Sequence, residues 1–170
     1  MNHIQYSKKD FAWVRWTPLE IGAAVKRAVA EKRKTYAAVK RVPAEERTFE
    51  NTVAAMDASN RPFSEILKAM LLMNVSPDPK VREAAQRAVE YADRAIIGLE
   101  YDKDLYHALV EYETKQEKLR GVEKKLFDDT IRSFRRRGFG LSETKQEKFR
   151  SNLKELAKLG SVFSRNLNEY

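Results

Sequence analysis

Residues 79–100, PKVREAAQRAVEYADRAIIGLE, decide the fold. Val81, Ala84, Ala85, Ala88, Ala92, Ala95, Ile96 and Leu99 recur at helical spacing, so one face is apolar and the other is charged. Most of that stripe is alanine, and small side chains let a neighbouring helix approach closely. The preceding Val75-Ser76-Pro77-Asp78-Pro79 reads as a turn, with Ser76 or Asp78 able to cap the amides that follow. A central helix packed on all-helical neighbours is the expectation.

Upstream, Thr17-Pro18-Leu19-Glu20 combines an N-cap hydroxyl, proline at the first helical position and Glu at N3, a capping box. The stripe Ile21, Ala24, Val25, Ala28, Val29, Tyr36 and Val39 follows, and Val42-Pro43 ends it because proline disfavours helix in the residue before it. Trp13 and Trp16 are expected to pack the start of this helix against the core. Thr48 is the next cap, with Phe49, Val53 and Met56 at helical spacing; Pro62 predicts a kink or short break before Phe63, Ile66, Leu67, Met70 and Leu71 resume the pattern.

Downstream, Leu105, Leu109, Tyr112, Leu119 and Leu126 extend the periodicity through a polar stretch, with Gly121 as the expected break and Ile131 and Phe134 continuing it. Arg135-Arg136-Arg137-Gly138 closes that segment, basic residues complementing the helix dipole and Gly138 taking the left-handed cap. Ser142 opens a last helix with the stripe Phe149, Leu153, Leu156, Gly160, Phe163 and Leu167. The hexapeptide Glu113 to Lys118 recurs as Glu143 to Lys148 with unmatched flanks, a polar helical face rather than a repeat architecture. Tyr170 falls within the periodic pattern, so the chain is expected to be part of a larger protein.

The 170 residues contain 6 glycines and 5 prolines, too few for a strand-and-turn protein, and no substantial sheet is expected. The whole reads as one all-α domain, residues 1–170, a bundle of about six to seven helices behind a polar and aromatic lead at 1–16. With no cysteine there are no disulfides, thiolate nucleophiles or thiolate metal ligands. No run approaches a membrane span, and Met1 to Asp10 has no apolar core of a secretory signal; a soluble, cytoplasmic protein is the expectation.

Sites of chemistry are sparse. The histidines are His3 and His107; His107 and Glu111 are i,i+4 neighbours, but two ligands without a third make no catalytic metal site. No nucleophile elbow and no phosphate loop occurs, and Gly138-Phe139-Gly140 is explained better by a helix cap. Asp128-Asp129 and Glu45-Glu46 diverge as sequence neighbours and are expected at the surface. The excess of 33 basic over 25 acidic residues has its densest runs at Lys32-Arg33-Lys34 and Arg132 to Arg137. Without a stacking platform these read as a solvated face or an interface before they read as a nucleic-acid surface.

Four stretches carry a resemblance: Arg47-Thr48-Phe49-Glu50-Asn51-Thr52-Val53; Asn74-Val75-Ser76-Pro77-Asp78 with Val81-Arg82-Glu83-Ala84; Phe134-Arg135-Arg136-Arg137-Gly138 with Leu141; and Phe163-Ser164-Arg165-Asn166-Leu167-Asn168-Glu169. In that order and spacing the chain resembles the amino-terminal region of the thimet oligopeptidase, neurolysin and oligopeptidase A family of zinc metallopeptidases. The resemblance implies an all-helical wall of a deep channel that admits short unstructured peptides. It also implies that zinc belongs to the full-length family, held by H-E-x-x-H and a downstream Glu, the motif's Glu acting as base on the metal-bound water. None of those positions is in this sequence. Catalytic, cofactor-binding and metal-binding residues are therefore expected to be none, and the chain alone is expected to be inactive and without a cofactor. Its implied partners are a separate catalytic domain or chain and short peptides, with no membrane; the alternatives are a stand-alone helical interaction module or a basic nucleic-acid-binding protein.

Overall fold

Thr17 starts the first helix as its sequence predicts. Its hydroxyl accepts a hydrogen bond from the Glu20 amide at 3.4 Å, and the Glu20 carboxylate accepts one from the Thr17 amide at 2.7 Å. The computed structural model describes residues 15–168, and in the last helix only some side chains; His3 and Trp13 lie outside the described residues. Six α-helices follow one another: α1 Pro18–Arg41, α2 Ala55–Met73, α3 Pro79–Glu100, α4 Lys103–Thr114, α5 Gly121–Arg136 and α6 Glu143–Asn168. Among the described residues there is no strand, and the protein is an all-α multi-helix bundle. None of these helices is long and apolar enough to cross a membrane.

Helix α1 is the spine, packed against α2, α3 and α4. Its first half puts Ile21, Val25 and Val29 into a cluster with Phe63, Met70 and Met73 of α2 and the alanines of α3, where Ala84, Ala85, Ala88, Ala92 and Ala95 are all buried. Trp16 packs on the edge of this cluster. The second half of α1 puts Tyr36 and Val39 into a separate cluster with Phe49, Val53, Leu105, Leu109, Ile131 and Phe134. Asp78 caps α3 by accepting from the Lys80 amide at 2.8 Å, and Ser76 accepts from the Asp78 amide at 3.3 Å.

Three boundaries differ from the periodicity. Pro62 does not break its helix: α2 runs through it. Pro62 and Ala58, whose carbonyl loses its amide partner, are both in exposed positions, where an unpaired backbone group costs little, while Phe63 and Met70 hold the helix to the core. The irregularity comes earlier, as a π-helical turn over Glu50–Ala54 that buries the adjacent Thr52 and Val53 completely. Periodicity also conceals a break before Leu105, where Asp102 accepts from the amides of Asp104 and Leu105 at 3.0 and 3.1 Å and starts α4. Finally, α4 ends at Thr114 and Gly121, at φ +52°, begins α5 rather than interrupting a helix.

Gly138 closes α5 in the left-handed region, at φ +91°, as expected. Phe149 and Gln146 in the early turns of α6 line a small pocket together with Tyr101, Gly138 and Phe139, and Gln146 donates to the Leu141 carbonyl at 2.9 Å. Farther along, Leu156 and Phe163 are each 65% exposed. The side chains of Leu153 and Leu167 and the surroundings of Gly160 lie outside the described set.

Candidate functional site

The two core clusters meet at Lys32. Its position follows Val29 by three residues and precedes Tyr36 by four, so the helical phase of α1 aims it inward, and it is only 4% exposed. The expectation of a solvated Lys32-Arg33-Lys34 face therefore fails at its first member, while Arg33 and Lys34 are exposed. The Lys32 ammonium donates to Asn60 Oδ1 and lies 4.9 Å from the Tyr36 ring centroid and 5.5 Å from that of Phe63. Burial pushes its ionisation below the ordinary 10.5, against an opposing pull from Glu100 and Asp57. Burial also pushes the Tyr36 phenol up to about 12.

Two cavities share this lysine. An open groove of about 780 Å³ runs between α1 and α2, floored by Ala24, Ala28, Pro62, Phe63 and Ile66 and edged by Glu20, Arg27, Glu31 and Ser59. Its size is that of a ligand cleft, and its lining is mostly apolar with a few polar groups at the margin. On the other side of Lys32 lies a polar pocket of about 270 Å³ that includes Asp57, Asn60, Glu100, Ser133 and Arg137. There Arg137 holds Glu100 at 3.3 Å and stands over the Phe134 ring.

The sites singled out from sequence are dispersed. His107 is exposed, and the Glu111 carboxylate is engaged by Arg47, whose Nε donates to it at 2.8 Å while Nη1 donates to the Val39 carbonyl at the end of α1. Among the described residues no three His, Asp or Glu side chains come together as a metal-binding group. The described residues therefore supply no donor set for the zinc that the family resemblance implies. Glu45 and Glu46 are exposed. Asp128 pairs with Lys124 at 2.7 Å, and Lys125 holds the Asp129 carboxyl below its usual range. Arg132 pairs with Asp129 at 3.5 Å and Arg135 with Glu113 at 2.6 Å, which divides the basic run among internal carboxylates and weakens it as a phosphate-binding stripe.

Sequence reading missed Lys32 and Arg47 as buried cations. Position 32 falls on the apolar phase of α1, a signal present in the sequence but masked by its basic neighbours. Arg47 has no such signal, because its role depends on α4 bringing Glu111 beside it. No known family model matches this chain, and no curated protein matches it.

Proposed function

We propose that this chain is the non-catalytic, peptide-binding helical region of a zinc oligopeptidase, shaping peptide access to a catalytic region that lies on another domain or chain. The observation that supports this reading best is the groove between α1 and α2. Its apolar floor suits side chains, and its polar margin offers partners to the amides of an unstructured peptide. The ordered motifs from Arg47-Thr48-Phe49 to Phe163-Ser164-Arg165 point to the same substrate class through the resemblance described above. In this role the chain holds and orients peptide, and bond cleavage is performed elsewhere.

A quenched fluorescent peptide assay tests it. The chain alone with zinc is expected to be inactive, and mixing it with a separately expressed catalytic region from the same source is expected to produce hydrolysis. Cleavage by the chain alone, or failure of the two to associate with no gain of activity, overturns the reading.

A further inference from the structure

Pairing with carboxylates breaks the basic run of α5 as a stripe, yet one face of its last turn keeps more guanidinium than carboxylate. Arg132 and Arg136 stand one helical turn apart, as do Ser133 and the capping Arg137, and all four line one open pocket of about 340 Å³ with Asp129. Arg135 turns away from it to Glu113 of α4. The cations of the pocket are loosely held. Arg132 reaches Asp129 at 3.5 Å and Arg137 reaches Glu100 at 3.3 Å, both longer than the roughly 2.7–2.9 Å of a full charge-assisted bond. Among the described residues Arg136 has no ion pair. Each guanidinium has several N–H donors, so all three keep some for a ligand. Asp129, the acid among the five lining residues, is already shared between Lys125 at 2.7 Å and Arg132. The negative end of α5 opposes an anion here with about half a charge, against three full guanidinium charges.

This pocket adjoins the polar one beside Lys32, since Asp129, Ser133 and Arg137 line both. The polar pocket, about 270 Å³, presents donors and acceptors alike: Lys32 and Asn60, and the carboxylates of Asp57 and Glu100. An apolar body would leave these groups without partners, whereas hydroxyls donate to the acids and accept from the cations. A nucleic-acid strand would need a cationic track that continues past one phosphate, and the pairing of Arg135 with Glu113 and of Lys124 with Asp128 interrupts it. The arrangement suits one phosphate attached to one small polar body.

We propose that these adjoining pockets bind a small phosphate monoester rich in hydroxyls, its phosphate on Arg132, Arg136 and Arg137 and its hydroxyls against Asp57 and Glu100. The inference is independent of the peptide-binding reading, because it uses neither the α1–α2 groove nor a second chain. It is a binding site, and no bond is made or broken in it.

Isothermal titration calorimetry of the full chain with ribose 5-phosphate, inorganic phosphate and ribose tests the proposal. Ribose 5-phosphate is expected to bind about tenfold more tightly than inorganic phosphate, and ribose is expected not to bind measurably. Arg136→Gln, at an exposed position, should weaken ribose 5-phosphate about tenfold, with circular dichroism establishing that the variant is folded. Asp57→Ala, also at an exposed position, should weaken ribose 5-phosphate and leave inorganic phosphate as it was. Inorganic phosphate binding as tightly as the ester overturns recognition of an ester. Binding of neither, or binding of the ester that Arg136→Gln leaves unchanged, overturns the site. A short single-stranded oligonucleotide that binds more tightly than ribose 5-phosphate, and is released as salt is raised, assigns the arginines to nucleic acid and overturns the proposal as well.

Discussion

Lys32 places a charge inside the fold, only 4% exposed and held by Asn60. Its ammonium ionises below the ordinary 10.5 because burial disfavours the charged form. Between the folded and unfolded values the unfolded chain binds more protons, so this group makes stability rise with pH in the alkaline range below 10.5. Tyr36, pushed up to about 12, acts in the opposite direction above pH 10, because only the unfolded phenol ionises there. The difference between wild type and Lys32→Met isolates the lysine. The variant should be more stable at pH 7, with the gap closing as pH approaches 10.5, as measured by urea unfolding at several pH values. A destabilised variant would mean that the Asn60 hydrogen bond and the Tyr36 and Phe63 rings outweigh the desolvation.

At the scale of elements, the ends are decided by single residues. The α5 stop depends on Gly138, whose φ of +91° lies where side chains are disfavoured, and whose missing Cβ would stand 3.0 Å from the Phe149 ring of α6. Gly138→Ala should therefore lower stability by about 1–2 kcal/mol, and the melting temperature by roughly 3–6 °C in a thermal scan. An unchanged melting temperature would show that α6 and the Arg137–Gly140 turn shift freely. The hexapeptide Glu-Thr-Lys-Gln-Glu-Lys makes the complementary point. At 143–148 it is helical, whereas at 113–118 it leaves the helix after Thr114, with Gln116 at φ +50°. In that copy Glu117 accepts from the Phe49 amide at 3.0 Å and Lys115 donates to the Glu45 carbonyl at 2.8 Å. Contacts to distant residues override the local preference of identical sequence.

Over the whole molecule, stability should follow the two core clusters. Helix α1 contributes Ile21, Val25, Val29, Tyr36 and Val39 to them, all buried, while Leu156, Leu159 and Phe163 of α6 are exposed. Amide exchange measured by mass spectrometry should be slowest in α1 and fastest in the latter half of α6, because opening α6 there disrupts little buried apolar surface. Protection of α6 equal to that of α1 would mean that its apolar face is covered in solution.

Much of this architecture was legible in the sequence because capping and amphipathic spacing are local. Thr17, Asp78 and Gly138 act within a few residues of themselves, and the alanine stripe of α3 declares its buried face by spacing alone. The continuity of α2 through Pro62, the separate start of α4 at Asp102 and the non-helical segment after Thr114 were not legible in this way, since each depends on which backbone groups reach water or a distant partner. The candidate site belongs to the second kind. Phase placed position 32 on the inner face of α1, but only the tertiary structure set its ammonium against the Tyr36 and Phe63 rings and beside Asn60, because burial and charge compensation are properties of what packs around a residue rather than of its neighbours in the chain.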